Sequence, residues 1–248
     1  METTEKKRLL KSLVFPGILL IILWSVFIVE TLLKADFSTL GLLPQSISGL
    51  KGIFFSPLLH GSYAHLSANS VPLFVLLAGL FYYYDKKGYG ILAWAWIITG
   101  FWVWSFAKDT GYHIGASGIV YALAAFHFTG GLLRREPRLM AFALLVVFLY
   151  GGLIWGAIPD FLPEKNISWE SHLMGLLAGV IIALFYRNSG PQRIEHKWED
   201  EEEWIEPDQE PTAIDEQSGI NEESINPQNT TVPPPIVYHY KQNHNPDK

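Results

Sequence analysis

Six long apolar runs fill the first 190 residues of this 248-residue chain, and no other feature restricts its fold as strongly. They lie at roughly 12–33, 65–84, 89–107, 115–133, 139–157 and 171–186. Most have the ~20 residues that a helix rising 1.5 Å per residue needs to cross a bilayer's hydrocarbon. The sixth is short and the second carries polar groups. Pro16 and Pro72 fall inside the first and second runs, where membrane helices tolerate proline if neighbours satisfy the freed carbonyl. The pattern predicts an all-α membrane protein built as a six-transmembrane-helix bundle. The first run is followed by no A-x-A-like cleavage site and reads as a retained anchor.

Charge in the connections predicts orientation. Lys6, Lys7, Arg8 and Lys11 precede the first run, and Lys86 and Lys87 follow the second. Arg134, Arg135 and Arg138 follow the fourth, and Arg187 and Arg193 follow the sixth. The alternate loops hold only Lys34, Lys51, Lys108 and Lys165, so eleven basic residues oppose four. The bias places both termini in the cytoplasm of a multi-pass protein, with a bacterial inner membrane as the expected location. The loop before the second run mixes apolar and turn residues, and a short interfacial helix is expected there.

Composition changes abruptly after Arg193. Residues 195–248 hold 14 of the 24 acidic side chains and 3 of the 18 basic ones, leaving 15 basic against 10 acidic before them. The formal net charge of −6 therefore belongs to the tail. This acidic stretch, rich in Pro, Asn and Gln, reads as disordered because it cannot bury enough apolar surface to fold. The domain reading is a cytoplasmic segment at 1–11, a membrane domain at 12–190 and an acidic cytoplasmic tail at 191–248 whose partner is unknown. Trp198 and Trp204 flank its acidic run and make a candidate docking motif. The chain has no cysteine, which excludes disulfides, zinc–thiolate sites and thiol nucleophiles.

Under that topology the second, fourth and sixth helices all start at the outer face. His65 and Asn69 open the second, Ser117 the fourth and His172 the sixth. Four polar side chains from three distant segments then share one depth, and polar groups in a bilayer usually face a bundle interior or a wet cavity. Gly175 and Gly179 lie three and seven residues after His172 on one helical face. Gly118, Ala122 and Ala125 make a similar small-residue stripe below Ser117, and such faces let helices approach closely. Close packing would bring Ser117 within reach of His172, a nucleophile beside a base that burial keeps neutral. His65 and Asn69, four apart, would turn N–H groups toward a developing oxyanion beside the Ser117 amide. His127, about 15 Å deeper than Ser117 by helical rise, reads as a hydrogen-bonded core histidine. Glu30 is given no chemistry.

Taken together, these residues resemble the rhomboid intramembrane serine proteases. The likeness rests on Gly115-Ala116-Ser117-Gly118, on Tyr121 one turn later, on His172 with Gly175 and Gly179, and on the His60-x4-His65-x3-Asn69 pattern. It covers about residues 10–190. The resemblance implies a rhomboid-like six-helix bundle with Ser117 as nucleophile and His172 as general base. It implies that His65 and Asn69 form the oxyanion hole and that Tyr121 stacks on His172. His60 would support the loop at the site's rim, and the fifth helix, with Trp155 near its outer end, would form the lateral gate. The sequence departs from the family in three places. The loop before the second helix lacks the usual Trp-Arg pair, Ser171 stands where alanine usually precedes the base, and His113 has no family role.

The expected function is an intramembrane serine endopeptidase that cleaves transmembrane protein substrates, with no metal and no cofactor. Its partners are those substrates and the lipid bilayer, and no nucleic acid is expected. The alternative is a catalytically inactive rhomboid-like protein that binds membrane clients. A small transporter would instead need polar groups near the bilayer midplane, where only His127 lies.

Overall fold

The computed structural model describes residues 2–108, 111–149 and 168–191. Every element among them is helical, and the one β-bridge is an isolated pairing of Leu42 with His113. The helices are α1 (Glu2–Leu33), α2 (Gly52–Phe55), α3 (Tyr63–Tyr84), α4 (Lys87–Phe106), α5 (Ser117–Arg134), α6 (Pro137–Leu149) and α7 (Trp169–Phe185). Three short 3-10 turns flank α2, so the expected short helix exists in the loop before the second run. The tail and Trp155 lie outside the described residues.

Helix ends follow local chemistry more than hydrophobicity. Ser62 caps α3 by accepting the His65 N–H at 3.1 Å, which starts the helix two residues before the apolar run. Ser168 caps α7 by accepting the Ser171 N–H at 3.2 Å. The fourth run begins at Gly115, but Gly115 has φ of +113° and cannot belong to a right-handed helix, so α5 begins at Ser117. α1 starts ten residues ahead of its apolar run because its charged lead-in is made of good helix formers.

Three of these helices are long and apolar enough to cross a membrane: Thr4–Leu33, Tyr63–Tyr84 and Lys87–Phe106. Pro137–Phe148 and Trp169–Phe185 are shorter apolar helices. Outward-facing Ile21, Leu32, Phe101 and Phe148 are exposed apolar side chains, as expected of surfaces that meet lipid in place of water. The chain is a membrane protein.

The core is centred on α3 and α5. Leu66, Leu73, Leu76, Leu77 and Leu80 from α3, Ile91 from α4, and Val120, Leu123 and Phe126 from α5 are essentially inaccessible. The tightest pairing is α5 on α7, with α1 on α3 next. Charged groups gather at one end. There Lys11 meets Asp85 at 3.0 Å, Arg8 Nε donates to the Tyr82 carbonyl at 2.9 Å, and Lys87 Nζ reaches Ser189 Oγ at 3.1 Å. Buried Arg134 donates to the Tyr186 and Ser189 carbonyls, at 3.2 and 2.6 Å, and to the Tyr84 hydroxyl. The ends of α1, α3, α4, α5 and α7 that carry this charge therefore share one face of the bundle. The starts of α3, α5 and α7 lie at the other.

His127 is fully buried with Nε2 3.1 Å from the Leu76 carbonyl, a core histidine. Glu30 accepts the Phe37 N–H at 2.9 Å and so ties the end of α1 to the following loop.

Candidate active site

Residues 113–116 form a lead-in that is held from several directions before α5 begins. The Gly115 N–H donates to the Ser56 carbonyl at 2.8 Å, and the Ala116 N–H donates to His60 Nε2 at 3.4 Å. His60 lies in the loop ahead of α3 and is 3% exposed. Burial, and after it the neighbouring His65 ring, pushes its pKa down to about 3. A neutral ring leaves Nε2 free to accept the Ala116 N–H. The loop that carries His60 is itself docked on α4, because Trp96 and Trp104 donate their indole N–H groups to the Ile53 and Ser46 carbonyls at 3.0 and 2.8 Å.

Ser117 is the first residue of α5, where backbone N–H groups have no acceptor inside the helix and the helix dipole is positive. Its Oγ lies 2.9 Å from His172 Nε2, a hydrogen-bond distance between side chains 55 residues apart. His172 sits in the first turn of α7 and is buried. Tyr121, one turn below Ser117, lies parallel to the imidazole, with centroids 4.2 Å apart and planes 15° apart. That contact fixes the ring plane while leaving Nε2 directed at Ser117.

The approach of α5 and α7 is a backbone contact. A Cβ on Gly175 would overlap the Gly118 carbonyl, and one on Gly179 would overlap the Ala122 carbonyl and come within 2.8 Å of Ala125 Cβ. Any side chain at either position would push the helices apart and move His172 away from Ser117.

His65 and Asn69 flank Gly115 from α3. A Cβ on Gly115 would come within 2.7 Å of His65 Nε2 and Cε1 and 3.7 Å of Asn69 Nδ2, so only glycine lets the two polar side chains sit this near the lead-in. Asn69 is buried, and its Nδ2 finds no hydrogen-bond partner among the described residues. His60 and His65 pack edge to face with centroids 5.0 Å apart. The structure thus brings Ser117, His172, Tyr121, His65, Asn69, His60, Gly115 and Gly118 to one end of the bundle, with Gly175 and Gly179 below them along the α5–α7 contact. A cavity of about 470 Å³ opens beside them, lined by Glu30, Lys34, Asp36, His60 and Ile114 among others, and it does not reach Ser117.

Two contacts escape a reading of the sequence. His113 Nδ1 pairs with Ser168 Oγ at 2.6 Å, and Glu170 accepts the Lys108 N–H at 2.9 Å. Each joins the segment before α5 to the first turn of α7 across more than 50 positions, and no local spacing announces such a pairing.

Lipid-facing helices and a hydrogen-bonded serine–histidine pair at one end of their bundle define a multi-helix membrane protein. A family model described as the Rhomboid domain matches residues 48–189. An uncharacterized protein of Mycobacterium tuberculosis is 36% identical over 183 residues, covering 69% of this chain and 73% of its own. An uncharacterized protein of Mycobacterium leprae is 32% identical over 185 residues, covering 69% of each chain. The chain belongs to the rhomboid family.

Proposed function

We propose that this protein is an active rhomboid serine endopeptidase that hydrolyses a peptide bond in or beside a transmembrane segment of another protein. The observation that carries the reading is the 2.9 Å contact between Ser117 Oγ and His172 Nε2, with the imidazole held flat against Tyr121. His172 takes the hydroxyl proton as Ser117 Oγ attacks the scissile carbonyl carbon. The tetrahedral oxyanion is met by the first N–H groups of α5, by Asn69 Nδ2 and by the His65 ring. The imidazolium returns its proton to the departing amine, leaving an acyl-serine. Water then attacks that ester with His172 again as base, which restores both groups. Every proton in this cycle is carried by the chain's own side chains.

The same reading assigns six spans, with a membrane domain at 12–190 and an acidic tail at 191–248. Both termini lie in the cytoplasm of a bacterial inner membrane, and the starts of α3, α5 and α7 lie at the opposite face, where water enters. The substrate segment must unwind near the cut, because a regular helix keeps its carbonyls in internal hydrogen bonds.

The test is labelling of the detergent-purified protein with a fluorophosphonate probe, alongside cleavage of a model transmembrane substrate. Wild type labels and cleaves, whereas Ser117→Ala and His172→Ala do neither. A folded wild type that does neither overturns the reading in favour of a membrane-client binder.

A further inference from the structure

The lead-in to Ser117 is joined to the start of α7 at a second point, away from the reacting atoms. His113 is buried, and its main chain exchanges both hydrogen bonds with Leu42, N–H to carbonyl at 2.8 Å in one direction and 3.0 Å in the other. The backbone at this position is therefore fixed to the loop ahead of α3. Its side chain crosses the opposite way. Nδ1 lies 2.6 Å from Ser168 Oγ and 3.4 Å from Ser171 Oγ. Ser168 Oγ also caps α7 through the Ser171 N–H at 3.2 Å and pairs with Ser171 Oγ at 2.8 Å. One hydroxyl thus both starts the base-bearing helix and holds the histidine.

The spacing on the two sides matches. Ser117 lies four residues after His113, and His172 lies four residues after Ser168. The glycine seats at 175 and 179 set how close α5 and α7 come, but they act below the first turn. Helix ends fray, and their first residues lack the intrahelical bonds that hold the rest. A contact at the very start of α7 is what fixes the rotation of that turn.

We infer that His113 is a positioning residue: through Ser168 it locks the first turn of α7 to the 113–116 segment and so holds His172 Nε2 in line with Ser117 Oγ. The inference rests on Ser117 and His172 being the reacting pair. A misplacement of about 1 Å at a reacting centre costs on the order of 10²-fold in rate, so a modest turn of the helix end is enough to matter.

The experiment compares wild type, His113→Asn, His113→Gln, His113→Ala and Ser168→Ala as full-length protein in detergent. It records the thermal midpoint by tryptophan fluorescence, the fluorophosphonate labelling rate, and kcat and KM on the transmembrane substrate. Asn places a hydrogen-bonding atom near the site of Nδ1, and Gln places it too far along. The Gln and Ala variants are expected to lose on the order of 10²-fold in kcat with KM within about twofold, and Asn to recover most of the loss. The double variant His113→Ala with Ser168→Ala is expected to lose less than the two single losses combined, since both remove the His113–Ser168 contact, while Ser168→Ala also removes the α7 cap. The inference is overturned if wild type labels and His113→Gln keeps its kcat. It is equally overturned if Asn and Gln lose activity alike, in step with their thermal midpoints, because His113 is then only a packing residue. A folded wild type that never labels removes the catalytic reading and this inference together, whereas the other two outcomes remove the inference alone.

Discussion

At the scale of single residues, Asn69 and His60 make opposite kinds of statement about the site. Asn69 Nδ2 is a buried donor without an acceptor among the described residues, a state that costs about 1–3 kcal/mol wherever it occurs. Such a cost makes sense where the acceptor arrives with the reaction. Asn69→Ala is therefore expected to lower kcat on the order of 10²–10³-fold with little change in KM, checked by steady-state cleavage of a transmembrane substrate. His60 instead uses its neutral form, in which Nε2 accepts the Ala116 N–H. Its folded pKa of about 3 lies below the unfolded value near 6.5, so the folded state resists protonation and the unfolded state does not. The stability that follows is complete above about pH 6.5 and falls progressively as pH drops toward 3. The thermal midpoint should decline between pH 7 and pH 5, and His60→Gln, which cannot titrate, should flatten that decline; an unchanged slope would sink the assignment.

At the scale of elements, the α5–α7 contact carries the site. Gly175→Val inserts a side chain where even a Cβ overlaps the Gly118 carbonyl. Overpacking typically costs about 1–3 kcal/mol, and here the obstacle is backbone, which yields least. The expected result is a lower thermal midpoint and lost fluorophosphonate labelling, read by tryptophan fluorescence and gel. This contact was legible in the sequence because both stripes repeat at helical spacing, Gly175 with Gly179 and Gly118 with Ala122 and Ala125. The Ser117–His172 pairing was legible for the same reason, since two polar residues opening two helices of equal direction fall at one depth. Helix limits were less legible. Ser62 extends α3 by two residues through a cap, and the positive φ of Gly115 delays α5 by two. The His113–Ser168 pair was not legible at all, because 55 residues separate its members and only the assembled fold brings them together.

At the scale of the whole molecule, most of the described basic residues sit at one end but do little to hold it together. Lys11 and Asp85 are both well exposed, and such pairs are worth about 0–1 kcal/mol. Their influence is on insertion, where the side richer in Lys and Arg stays in the cytoplasm. Because the chain has no cysteine, single cysteines can report topology without a background to remove. An impermeant maleimide is expected to label Ile47→Cys in intact spheroplasts and Lys6→Cys only after lysis; the reverse pattern would invert the orientation. On the proposed reading a substrate must also enter a bundle whose core is close-packed, and packed interfaces shift between discrete arrangements more readily than they stretch. The glycine seat leaves α5 and α7 no slack side chains with which to repack. Serine and histidine therefore travel as one rigid body, and whatever breathing admits a polypeptide is borne by their neighbours. On the proposed reading, an enzyme of this shape would open its door without loosening its jaws.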